Sequence, residues 1–143
     1  MGCSCRFIHT QAEKQLKMLL KWFGSMGGLF GFFSVAFGAL GAHFLKGKLS
    51  EEMLSIFQKG VYFQTIAAIG LILTGLLSLH LKSLHFLSLA GWFFIAGTLL
   101  FSGSLYLLAW TSIRGFGAIT PFGGICFLLA WAYLTLACFR GAS

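Results

Sequence analysis

Residues 22–45, WFGSMGGLFGFFSVAFGALGAHFL, contain no acid, lysine or arginine. About 20 mainly apolar residues in a helix cross the roughly 30 Å hydrocarbon core of a bilayer, so this run is long enough to span it. It is also patterned. With successive residues about 100° apart around a helix, Gly24, Gly27, Gly28, Gly31, Ser34, Gly38, Gly41 and Ala42 fall on one side. Phe23, Phe30, Phe33, Phe37 and Phe44 occupy another sector, suited to lipid or to bulky packing. The small side lets a second backbone approach closely, which helix association needs where lipid is as apolar as the neighbouring helix.

Upstream, Lys14, Lys17 and Lys21 precede the run and small residues follow it, a secretory-signal outline. The apolar stretch exceeds the roughly 7–15 residues of a signal, and an uncleaved first helix is expected. Residues 1–17 form a polar, basic tail ahead of a transmembrane domain at 18–143, and Met18 is a candidate native start in place of Met1. The Met-Gly-Cys opening lacks the Ser or Thr at position six that myristoylation wants, having Arg6 there.

Downstream, three further runs of spanning length lie at about 60–80, 86–110 and 117–139. Trp22, Tyr62, Trp92 and Trp110 sit near run ends as interfacial aromatics do, whereas Trp131 falls mid-run. Between the first two runs, Ser50 can cap a helix whose first turn holds Glu51 and Glu52 and whose last holds Lys59. Leu49, Met53, Ile56 and Phe57 share one face, which predicts a short amphipathic surface helix lying as a lid over the bundle. Thr120-Pro121 reads as an N-cap followed by proline at the first helical position.

Composition agrees with lipid as the solvent. The chain is 58% hydrophobic and 9% charged, with mean hydropathy +0.90; a soluble domain carries about 25% charged residues. The fold class expected is all-α, a polytopic membrane protein with four transmembrane helices in a compact bundle. The net charge of +7 does not point to nucleic acid, because Lys21, Lys46, Lys59, Lys82, Arg114 and Arg140 stand singly at run ends, where they reach headgroups. Four spans place Arg6, Lys14, Lys17, Lys21, Lys82 and Arg140 on one side and Lys46, Lys48, Lys59 and Arg114 on the other. Both termini are therefore expected in the cytoplasm, a bias that starting at Met18 would erase. Cys3, Cys5, Cys126 and Cys138 have no zinc spacing, and free thiols are expected.

The other spans carry small or weakly polar stripes too: Gly60, Gln64, Ala67, Ala68, Gly75 and Ser78; Gly91, Thr98, Ser102 and Ala109; Gly123, Cys126, Ala130, Tyr133 and Ala137. The glycines expected to pack are Gly24, Gly27, Gly28, Gly31, Gly38, Gly41, Gly91 and Gly123. Chemistry is sparse. The spans hold no Asp or Glu, and no nucleophile, base and orienting group can be named together. No enzyme, metal or cofactor is expected. Topology gathers His43, Tyr62, Gln64, Ser102, Ser104, Tyr106 and Thr120 at one membrane face, either as mutually bonded structural groups or as a ligand site.

The strings Gly38-Ala39-Leu40-Gly41-Ala42-His43, Leu100-Phe101-Ser102-Gly103-Ser104-Leu105-Tyr106 and Gly117-Ala118-Ile119-Thr120-Pro121-Phe122-Gly123-Gly124 resemble the YgdD-like family of small membrane proteins, over roughly residues 19–140. The resemblance implies a four-helix protein of the bacterial inner membrane within a domain-of-unknown-function family, and no established activity. Members resemble Tyr-Gln-x-x-His at the start of the second span; here Ala67 stands where that histidine would be. The function expected is a non-enzymatic accessory or assembly bundle, with lipid and other membrane proteins or a second copy as partners. A small-solute or ion transporter is the alternative.

Overall fold

The computed structural model describes residues 3–81 and 83–141, with side chains from Glu13 onward. The expectations for Met1 and Gly2, for the Cys3, Cys5 and Arg6 side chains and for Lys82 lie outside the described residues. Helix α1 runs Cys3–His43, α2 Glu51–Leu77, α3 Leu84–Gly97, α4 Gly103–Thr111 and α5 Thr120–Gly141. A π-helical turn at Thr98–Ser102 joins α3 to α4 as one span, and a 3-10 turn at Arg114–Ala118 leads into α5. The chain is all-α, with four helical stretches long and apolar enough to cross a membrane: Glu13–His43, Glu51–Leu77, Leu84–Thr111 and Arg114–Gly141.

Three local expectations change. The N-terminal segment is not set apart from the first span, because α1 continues unbroken from Cys3; nothing between Lys17 and Trp22 breaks a helix. At about 1.5 Å per residue its 41 residues reach about 60 Å, well beyond the hydrocarbon core. The segment 50–59 is helical but is not a separate surface helix. It forms the first turns of α2, and its apolar side meets protein instead of lipid: Phe57 is buried with Leu45 and Ala109 and is flanked by Phe37, Leu40 and Tyr106. Finally, Thr120 does not cap α5. The helix already includes it, Pro121 sits in the first turn where a missing N–H costs nothing, and the Thr120 hydroxyl is spent on Ser104.

Ser50 caps α2 as its position predicts. Its Oγ accepts from the Met53 N–H at 3.3 Å, with Glu51 and Glu52 in the first turn. Ser50→Ala is expected to lower stability by about 1 kcal/mol, and Ser50→Asp to retain it; thermal unfolding in a mild detergent measures both. The loop before this cap, closed between α1 and α2, turns at Gly47, whose φ of 90° favours glycine.

The helices form a rhombus rather than a ring. α1 packs along α2, and α5 packs along α3; α2 and the third span form the shared diagonal. α1 touches α3 only sparsely, and so does α5 with α2, which leaves a seam open to lipid on each side. The main core lies on the diagonal, where Phe23, Leu71, Leu87, Phe94, Phe127 and Leu134 are buried together. The phenylalanine sector on α1 divides: Phe23 is buried, Phe30 and Phe37 pack half-buried against the core, and Phe33 and Phe44 face out. Trp22, Trp92 and Trp110 are well exposed, as side chains at a headgroup boundary are. Trp131 instead sets its ring edge-on to Phe94 at 5.2 Å.

Candidate functional site

The expected polar face separates into two bonded groups and two outliers. In the first group Gln64, buried on α2, donates from Nε2 to the Phe30 carbonyl of α1 at 2.9 Å and accepts from the Tyr106 hydroxyl of α4 at 2.8 Å. One amide therefore ties three spans. Ser102 donates to the Gly60 carbonyl at 2.8 Å, one turn from Gln64 along α2. The second group is Ser104 and Thr120, whose hydroxyls lie 2.9 Å apart and join α4 to the start of α5. His43 and Tyr62 are exposed and belong to neither group: His43 ends α1, and Tyr62 turns outward with its ring edge-on to Phe63.

Among the connections that sequence reading missed, one joins two side chains. Ser34 and Thr65 share a hydrogen bond between α1 and α2, and both hydroxyls reach the Val61 carbonyl. Ser34 had been placed among the small residues, where its size explains its position; its hydroxyl gains meaning only once the α1–α2 pairing is known. Thr74 and Thr98 bond back to the carbonyls of Gly70 and Phe94 in their own helices, the usual way a buried hydroxyl is satisfied inside a helix. Among the described residues no buried side-chain nitrogen or oxygen lacks a hydrogen-bond partner. That closure matters in hydrocarbon, where an unpaired polar group finds no water.

Beside Gln64 and Tyr106 a cleft of about 250 Å³ opens between α1 and the third span, walled by Phe30, Phe33, Phe37 and the π turn. The π turn is what offsets α4. Its slower winding sets the azimuth at which Ser102 meets Gly60 and Tyr106 meets Gln64, and its own residues wall the cleft.

The glycines differ in what surrounds them. A Cβ at Gly27 would lie 2.8 Å from the Ala68 carbonyl oxygen, and one at Gly123 would strike the backbone of Phe101. One at Gly91 would run into the Phe23 ring, and one at Gly41 would meet the Phe57 ring at 3.3 Å. Gly24 presents its own backbone to Gly75, Gly31 and Gly38 stand at ordinary contact distance from Ala68 and Val61, and Gly28 faces open space. Several of the tight approaches share the arrangement seen at Gly91, an aromatic ring seated on a glycine of another helix. Phe94 sits on Gly70, Phe127 on Gly97 and Tyr106 on Gly60, of which Gly70 and Gly97 carried no signal beyond being glycine.

All-helical spans, an apolar exterior and an internally paired polar set define a small four-span helical membrane protein. The sequence profile of a family described as "Protein of unknown function (DUF423)" matches residues 37–124, and the chain belongs to that family. It is 43% identical over 121 residues to the UPF0382 membrane protein SH2409 of Staphylococcus haemolyticus, covering 85% of this chain and 98% of that protein. It is 38% identical over 118 residues to the UPF0382 membrane protein YwdK of Bacillus subtilis, covering 82% and 96% respectively. No solved structure matches.

Proposed function

We propose that this protein is a non-enzymatic accessory or assembly bundle of the bacterial inner membrane, with both termini in the cytoplasm and affiliated with the YgdD-like members of its family. The observation that carries the reading is the closure of the polar set: Gln64, Tyr106, Ser102, Ser104 and Thr120 bond one another or helix carbonyls, tying spans together. Groups committed in this way stabilise a shape, and the outer surface is then what remains for contact. On α5 that surface is a continuous apolar face of Phe122, Ile125, Leu128 and Phe139. A photoreactive benzoylphenylalanine at Leu128, irradiated in native membranes, is expected to give a protein adduct of defined size. Adducts with lipid alone would refute the reading.

A second reading, a small-solute or ion transporter, is supported by the cleft beside Gln64 and Tyr106. It predicts that flux of some member of a solute panel into proteoliposomes is lost in Gln64→Ala. Equal flux through both proteins removes it.

A further inference from the structure

The seam between α1 and α3 holds a second cleft, nearer the other membrane face and unconnected with the reading above. It measures about 250 Å³ and is walled by Met18, Trp22, Phe23, Met26, Trp92 and Ile95, with Gln15 and Ser88 supplying polar atoms. Its depth is fixed by the Phe23 ring, which lies against Gly91 instead of filling the gap. Trp22 and Trp92, both largely exposed, stand on opposite helices, and tryptophans in such positions mark the headgroup boundary. The apolar part of the cleft therefore falls in the acyl region.

Charge supplies the second line of argument. Lys14 and Lys21 are exposed one turn to either side of Met18, which lines the cleft, so helical spacing puts both on its side of α1. The only acid in this part of the chain, Glu13, is held by Lys17 at 2.7 Å. The rim thus has a positive excess above an apolar slot, the arrangement that suits a phosphate diester carried on hydrocarbon tails.

We propose that this cleft is the seat of one anionic phospholipid of the surrounding bilayer, with an acyl chain between Trp22 and Trp92 and its phosphate near Lys14 and Lys21. An acyl chain matches the shape and apolarity of the slot. A zwitterionic lipid would match the slot equally but not the rim, so preference for the anionic headgroup is the distinguishing property.

The test uses the full chain in nanodiscs of dioleoylphosphatidylcholine with a minor share of dioleoylphosphatidylglycerol, ejected into a native mass spectrometer. One phosphatidylglycerol per chain is expected to survive release, enriched over phosphatidylcholine. In Lys14→Gln/Lys21→Gln, retention is expected to fall roughly thirtyfold, two basic contacts at their usual worth beside an anionic leaflet. Both lysines are exposed, so this variant keeps its fold. Ser88→Trp, which fills the slot from its polar edge, is expected to abolish retention at unchanged helicity by circular dichroism. If Ser88→Trp misfolds, Ile95→Trp fills the slot from its apolar wall. Equal retention of both lipids, or wild-type retention in the lysine variant or in a folded slot-filling variant, overturns the proposal.

Discussion

Replacing Gly123 by alanine is expected to destabilise the bundle by about 2–3 kcal/mol, the upper part of the range for overpacking a close-packed site. The added methyl would meet the backbone of Phe101, which can move only by shifting the third span against α5. Gly91→Ala should cost less, because the atoms in its way belong to the Phe23 ring, and a ring can swing into the neighbouring cleft. Gly28→Ala, with open space around it, should be neutral or stabilising by up to about 1 kcal/mol, since alanine is the better helix former. Reversible unfolding in mixed micelles, read by far-ultraviolet circular dichroism, ranks the three. An equal effect at all three positions would mean that the glycines act through helix propensity and not through contact.

The second large effect concerns Gln64. Gln64→Leu removes the link from α2 to the Phe30 carbonyl and strands the half-buried Tyr106 hydroxyl, at an expected cost of about 1–3 kcal/mol for the bonds lost and the donor left without a partner. Tyr106→Phe should cost less, because the Gln64 amide keeps its bond to Phe30. The double variant should recover part of the loss, with a coupling of about 0.6–1.7 kcal/mol, the range for hydrogen bonds between spans. Strict additivity would show that the two side chains do not act on each other in the bilayer.

The spans were legible because hydropathy and length decide them, and a helix is the local answer to backbone hydrogen bonding in lipid. The faces were partly legible. On α2 the small and weakly polar stripe Gly60, Gln64, Ala67, Ala68, Gly75 and Ser78 is buried throughout, because α2 has neighbours on both sides of the diagonal. On α1, a corner helix, the stripe is wider than the contact it makes, so Gly28 and Ala42 remain outside. Periodicity gives the direction of a face and not the width of the neighbour that covers it.

The polar residues show a similar limit. Topology places Gln64, Ser102 and Tyr106 at the same depth on adjacent spans, and their hydrogen bonds fall there. It could not exclude His43 and Tyr62, because depth alone says nothing of azimuth: Tyr62 lies two residues before Gln64 and so points to the other side of α2. The partners of Ser34 and of the Phe30 carbonyl were out of reach for another reason. A main-chain acceptor leaves no mark on the side-chain sequence.

The wide turn at Thr98–Ser102 makes the third span tolerant of a change in its length. Five residues occupy a stretch that an α-helix would fill with about four. Deleting one of them would let the span close into a regular helix, and everything distal to the deletion would keep roughly its present orientation, since four α-helical residues turn through about the same angle as the five. Both ends of the span would still cross the membrane, and its hydropathy would hardly change. The phenol of Tyr106 would therefore stay within reach of the Gln64 amide, and its ring over the notch at Gly60. A homologue one residue shorter in this segment should therefore keep both the glutamine and the tyrosine, a gap inherited without a compensating substitution.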